Sequence, residues 1–310
     1  MTYDASALEQ IRSELQFILP QLEISGQLYL LGSGFSSLVL ETSQGVVLRL
    51  ARNQDAAEGQ AKEAKLLPFL QGKLPVAVPF PQWYVAPGQH FPFGVIGYPK
   101  LKGAVLQPQL LSEKTQSSLA TSCAKFLCSL HAISPAEIQI PELPGPRAFW
   151  QRQERLCAAV LPELHAMLPG TEYSQVERWW DKFLNDSALR QSPSCLCHGD
   201  LWYENILVDK DYSAIAGILD FEDAIIADPA LDFAALLHLG KPFTLAVIEA
   251  YQAQSHRPSP NLLYRIERYW EAREFGGLHF AIKHADQEEF VEALYKIRQG
   301  PILNPAQRFY

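Results

Sequence analysis

The chain has 310 residues, 48% hydrophobic and 19% charged, a globular composition long enough that two lobes are the default expectation. A formal net charge of -8 argues against nucleic acid as a partner, because phosphate-backbone binding draws on clustered Lys and Arg. The five cysteines contain no C-x-x-C pair and read as reduced thiols of a cytoplasmic protein; no basic region with an apolar core opens the chain, and no apolar run reaches membrane-spanning length, so no membrane partner is expected.

Leu8, Ile11, Leu15 and Ile18 recur at helical spacing and predict a helix over 6–19, ended by Pro20. Strand-like runs follow at 27–31, 38–42 and 46–50, with a Gly/Ser loop at 32–37 and a Ser43-Gln-Gly45 turn between them. Such a loop, Gly34 and Ser36 included, can lay backbone N–H groups over phosphates, since Gly permits close approach and Ser adds a donor. An ordinary hairpin turn is the alternative. The alanine-rich 56–67 predicts a helix, and a proline-rich stretch then leads to an apolar strand ending in Tyr98-Pro-Lys-Leu-Lys-Gly103. Beyond it the pattern is mainly helical, at 112–133, 147–168, 172–185, 262–284 and 287–298. Trp150, Trp179 and Trp180 in these segments read as core packing, with ligand stacking the alternative, and Cys195 and Cys197 occupy packing positions on a strand.

The chemistry concentrates in Leu196-Cys-His-Gly-Asp-Leu-Trp-Tyr-Glu-Asn-Ile-Leu-Val-Asp209 and Gly217-Ile-Leu-Asp-Phe-Glu-Asp223. The runs 205–209 and 214–220 flank a polar turn and should pair antiparallel, with Asn205 facing Asp220 across the ladder. Paired oxygen donors of this kind suit a hard cation such as Mg2+, whose octahedron phosphate oxygens and water complete. Asp200 stands apart, placed to orient an attacking hydroxyl and accept its proton. A base with two metal ligands is most of what phosphoryl transfer requires, because the protein mainly positions groups and neutralises charge. A hairpin with surface carboxylates is the bland alternative. Downstream, Asp228 is suited to cap a helix with Pro229 in its first turn, leaving Asp232 to brace the catalytic loop.

On His198-Gly-Asp-Leu with Asn205-Ile-Leu, Ile218-Leu-Asp-Phe-Glu-Asp223 and Asp228-Pro-Ala-Leu-Asp-Phe-Ala234, the chain resembles the aminoglycoside phosphotransferase family, nearest the aminoglycoside 2''- and macrolide 2'-phosphotransferase branch. The resemblance implies an α+β, two-lobed protein-kinase-like fold, with a β-rich nucleotide-binding lobe over 1–102 and a mainly helical catalytic and substrate-binding lobe over 103–310. It implies ATP or GTP as co-substrate with Mg2+ on Asn205 and Asp220, Asp200 as the base, and Gly34 and Ser36 over the phosphates. Arg49 stands where kinases carry a phosphate-pairing Lys, with Glu63 its natural partner and Glu58 the fallback; an outward-facing strand Arg is the alternative. Tyr98, Lys100 and Leu101 correspond to the hinge that reads a purine edge. No Ala-Pro-Glu follows Asp220, which argues against a protein kinase.

The acceptor implied is a cationic, hydroxyl-bearing small molecule, aminoglycoside- or macrolide-like. Glu222 and Asp223 follow the metal Asp, and Glu271 and Glu274 share a helix face, so the four are candidate acids for ammonium groups, with solvated positions the alternative for the last two. A housekeeping sugar or amino-alcohol kinase and a non-catalytic nucleotide-binding regulator are the competing readings.

Overall fold

The computed structural model describes residues 5–22, 24, 26–255 and 259–308. In chain order its helices and strands are α1 (Ala5–Ile18), β1 (Leu28–Ser33), β2 (Ser37–Thr42), β3 (Val46–Ala51), α2 (Gln54–Leu70), β4 (Trp83–Val85), β5 (Val95–Pro99), β6 (Ala104–Val105), α3 (Glu113–Ala132), α4 (Pro146–Met167), α5 (Gly170–Asn185) and α6 (Ser187–Arg190), then β7 (Cys195–Cys197), β8 (Ile206–Val208), β9 (Ile215–Ile218), β10 (Ile225–Ala227), α7 (Ala230–Leu236), α8 (Lys241–Gln254), α9 (Leu262–His284) and α10 (Gln287–Gln299). An antiparallel sheet followed by a mainly helical remainder is the α+β architecture that the sequence predicts. No helix among the described residues is long and apolar enough to cross a membrane.

The chain forms two compact units, the first built from residues 1–107, 139–143 and 204–223. Its sheet has the order β1-β2-β3-β5-β4, antiparallel throughout, with Arg49 paired to Val39 on one side and Ile96 on the other. Side chains alternate across a strand, so Val46, Leu48 and Leu50 of β3 enter a core with Leu15 and Leu19, while Arg49 points to the opposite face. α2 lies against β3. The Asn53 side chain accepts from Ala56 N–H at 2.9 Å and starts that helix.

A second, three-stranded sheet of the same unit has the order β6-β8-β9. Its register corrects one expectation: Ile206 pairs with Ile218, and Leu219 N–H donates to Asn205 O at 2.9 Å, so Leu219 rather than Asp220 stands opposite Asn205. A turn of 3-10 helix over Tyr203–Asn205 makes the first strand begin at Ile206, one residue later than expected, and the ladder shifts register between Leu207 and Val208. Asp220 lies just past the ladder in the left-handed region, at φ 60°, a conformation Asp tolerates better than most residues.

The second unit comprises 108–138, 144–203 and 224–310. α3 packs on α8, and α9 on α7 and α10. The β7–β10 ribbon pairs Cys197 with Ile225. Trp150, Trp179 and Trp180 are all buried here, Trp179 stacking on Phe183 at 4.9 Å and 12°, which is the packing use.

Candidate active site

In the first unit the face of β3 turned to α2 carries a buried charge cluster. Arg49 is only 5% exposed. Its Nη1 donates to Glu63 Oε2 at 2.9 Å, and its Nη2 donates to Asp220 Oδ1 at 3.1 Å and to Glu222 Oε1. Glu63, fully buried, also accepts from Phe221 N–H at 2.7 Å through its other oxygen, which ties α2 to the backbone beside Asp220. Glu58 is exposed, and Gln54 donates to it.

Three carboxylates around one guanidinium leave an excess of negative charge in a desolvated place. Burial pushes the Glu222 carboxyl up to about 8 against the opposing pull of Arg49. Glu63, Asp220 and Glu222 bring carboxylate oxygens within 4.8 Å of one another, a hard-oxygen set that fits a divalent cation. The Asp220 side chain is 42% exposed and open to such a ligand, and Asn205 is buried at the base of the same hairpin. Both carry oxygen donors of the chemical kind that Mg2+ accepts.

Glu222, expected from sequence on the acceptor side, instead gives its carboxylate to Arg49. The reason is room: Gly59 of α2 has no side chain, and the Glu222 chain lies across it. Asp223 is exposed. Gly34 N–H closes its own turn on Ser37 O at 3.0 Å, while the Arg52 side chain reaches Gly34 O and donates to Ser33 Oγ at 2.9 Å. Ser36 O accepts from Arg52 N–H at 2.9 Å, so this second cation, passed over in the sequence, clamps the loop. Tyr98 is buried beside Arg49, with burial pushing its phenol up to about 12. Lys100 N–H donates to Gly45 O at 2.8 Å, its Nζ meets Glu41 at 2.7 Å, and Leu101 lies close to Gly217 of β9.

In the second unit the loop carrying Asp200 is held by Asp232 from α7. His198 N–H donates to Asp232 Oδ2 at 3.0 Å and Gly199 N–H to Asp232 Oδ1 at 2.9 Å; His131 Nε2 lies 3.1 Å from Oδ2. Against the upward push of burial, the hydrogen bond to His131 holds this carboxyl below its ordinary value, so it stays an acceptor. Gly199, at φ 86°, lets the loop turn, and Asp200 N–H then donates to His198 Nδ1 at 3.3 Å. α7 starts at Ala230 with Pro229 at its N-cap; Asp228, one residue earlier than the cap, accepts from Ala230 N–H at 2.9 Å and from the buried Arg265 Nε at 2.7 Å, an ion pair that no sequence signal announces. His131, Cys195 and Cys197 cluster beneath the loop, both imidazole nitrogens being engaged, by Tyr251 and Asp232.

On α9, Glu271 and Glu274 do share a face: with Trp270, Tyr295 and Lys296 they line a cavity of about 280 Å3. Glu271 is buried. It accepts from Trp179 Nε1–H at 2.7 Å and from Arg268 Nη2 at 2.8 Å, and burial pushes its carboxyl up to about 7. Glu274 is half-buried near Arg273 and Lys296.

Among solved structures, the fold matches the GDP and kanamycin complex of APH(2")-IIia with a TM-score of 0.83, at 22% identity over 94% of this chain and 97% of that one. A macrolide 2'-phosphotransferase, MphH from Brachybacterium faecium, matches at 0.70, with 24% identity over 94% of this chain and 98% of that one. At the level of sequence, the "Uncharacterized protein YcbJ" of Bacillus subtilis (strain 168) is 30% identical over 231 residues, 70% of this chain and 71% of the relative. The model of the phosphotransferase enzyme family matches residues 28–271, a span that takes in both the Arg49 cluster and the loop of Asp200; the chain belongs to that family.

Proposed function

We propose that the protein transfers the terminal phosphoryl group of ATP or GTP to a hydroxyl of a small, ammonium-bearing molecule in the cytoplasm. The observation that carries this reading is the buried Arg49 held among Glu63, Asp220 and Glu222, a fixed cation beside a carboxylate suited to metal. Arg49 and the loop at Gly34 and Ser36 bind phosphates, and Tyr98 to Leu101 border the base of the nucleotide. Asp200 orients the acceptor hydroxyl and takes its proton, and Asp232 keeps the Asp200 loop from drifting. When bound, Mg2+ held by Asn205 and Asp220 would neutralise charge on the transferred group. A lobe boundary near Gly103 belongs to the same reading.

Kanamycin and streptomycin in complexes of the structural neighbours, together with Glu271 and Glu274 on a cavity wall, support an aminoglycoside- or macrolide-like acceptor. The pairing of Glu271 with Arg268 supports a second reading, a housekeeping kinase for a sugar or amino alcohol, because less negative charge is left for a polycation. A nucleotide-binding regulator is disfavoured by the presence together of Asp200, Asn205 and Asp220.

The test is nucleotide consumption, with ATP and GTP, across a panel of hydroxylated antibiotics, sugars and amino alcohols. Acceptor-dependent ADP or GDP release that Asp200→Ala abolishes is the expected result. Release that ignores every acceptor, or survives in the variant, overturns the reading.

A further inference from the structure

A second group of side chains adjoins Asp200, and nothing in the transfer described so far uses it. Trp202, whose N–H donates to Asp200 O at 3.0 Å, faces His238 at 5.7 Å between ring centroids; Trp270 of α9 faces the same imidazole at 5.0 Å. The Arg273 guanidinium lies 6.0 Å from the Trp202 ring and 5.9 Å from that of Trp270. Two indoles therefore flank one cation and one imidazole.

Both polar members are unsatisfied. Arg273 Nη1 and His238 Nε2 are buried without a hydrogen-bond partner among the described residues. Leaving a buried donor unmade costs about 1–3 kcal/mol, more for a charged group, so two such atoms beside one another call for a ligand that satisfies both. Burial and the neighbouring Arg273 push the His238 imidazole down to about 4, which keeps it neutral and free to donate through Nε2 while Arg273 supplies the charge. The acids whose charge acts on Arg273 are Glu274 and Asp200. Trp270 also forms part of the wall of the cavity carrying Glu271 and Glu274, so the two groups of side chains share that indole.

We propose that Trp202, His238, Trp270 and Arg273 form a subsite for an anionic oxygen group, a carboxylate or a phosphate, on the acceptor molecule. The proposal rests on the small-molecule kinase reading but revises its acceptor: a molecule that carries an oxyanion as well as the ammonium facing Glu271 and Glu274 takes the place of the aminoglycoside- or macrolide-like one, which has no anionic group. A guanidinium stacked between aromatic faces is the usual reader of such a group, because it offers parallel N–H donors and is weakly hydrated. A purely cationic acceptor would meet repulsion from Arg273, whose charge acts on that of the base Asp200.

The test is tryptophan fluorescence of the full chain with its nucleotide site filled by ADP and Mg2+. It is titrated at constant ionic strength with acetate, with inorganic phosphate, and with acetamide as the neutral control. One of the two anions is expected to give a saturable change that acetamide does not, and which one does so distinguishes a carboxylate from a phosphate acceptor. Arg273→Gln should weaken that binding by about tenfold or more, the scale of a lost charge-assisted contact, and Arg273→Lys should restore part of it. Asp200→Ala, which removes a negative charge acting on Arg273, should bind the anion at least as tightly as the parent, which separates this assignment from the fate of the kinase reading. No saturable change with either anion, or the same affinity in Arg273→Gln with its fold intact by circular dichroism, overturns the subsite.

Discussion

Gly59 and Glu222 are in contact across the first unit: a β carbon on Gly59 would stand 2.9 Å from Glu222 Cγ and 3.0 Å from its Cβ. The first is shorter than real side chains adopt and the second tighter than most, so the Glu222 chain takes this path to Arg49 because position 59 carries no side chain. In an ordinary helix interior, Gly→Ala stabilises by about 1 kcal/mol. Here Gly59→Ala is expected to displace Glu222 and loosen Arg49, giving no rise in Tm and a higher nucleotide KM. A thermal melt with nucleotide titration checks it; a Tm gain of about 2–4 °C with unchanged KM would show that Glu222 moves aside freely.

Removing the cation leaves acids stranded. Glu63 is fully buried, and Arg49→Ala would strip its only ion-pair partner among the described residues. Breaking one side of a buried pair costs about 3–5 kcal/mol, and denaturant unfolding of Arg49→Ala should register a loss of that order. Arg49→Met with Glu63→Gln should recover much of it. Equal losses in the single and double variants would mean the cluster is solvated once opened.

Asp200 contacts the acceptor rather than the nucleotide in the proposed reaction. General-base removal typically costs about 10²–10⁴ in rate, so Asp200→Ala should lose at least that range in kcat while ADP affinity stays within about twofold. Turnover within about tenfold of the parent, a barrier change of only about 1.4 kcal/mol, would move the base elsewhere.

The Glu271 carboxyl supplies a pH signature. Burial raises it from an ordinary 4.5 to about 7, so between those values the folded chain binds the proton more tightly than the unfolded one. Stability from this group is therefore greatest at the acid end of the window and falls as pH rises from 4.5 to 7. Glu271→Gln should flatten that part of the stability profile, measured by urea unfolding across it. A variant whose profile runs parallel to the parent's would mean that Arg268 and Trp179 hold the carboxyl ionised.

Much of this was readable before the fold was known. Alternation along Val46-Val-Leu-Arg-Leu50 puts Arg49 opposite the leucines, and an alanine-rich helix offers Glu63 to that face, so their meeting at 2.9 Å follows from two local periodicities. The helical segments after residue 112 are legible for the same reason. The partner of Glu222 was not legible, because the residues after Asp220 leave the strand with a left-handed turn and alternation no longer says where they point. Gly59 in the middle of an alanine-rich helix was the one available hint. Arg265 reaching Asp228, and Arg273 joining Trp202, pair residues 37 and 71 positions apart respectively, (265 − 228 and 273 − 202), with no repeating pattern between them to encode the contact.

The order in which the first unit's parts are synthesised has its own consequence. Arg49 and Glu63 leave the ribosome early, whereas Asp220 is 171 positions behind Arg49. At about 5–20 residues per second, on the order of ten to thirty seconds of translation separate the cation from its last counter-ions. A β3 face that packs on α2 within that interval buries Arg49 with only Glu63 to offset its desolvation. The nascent sheet thus waits, incompletely neutralised and exposed to holdases and proteases, for a hairpin encoded after the first four of the second unit's α-helices.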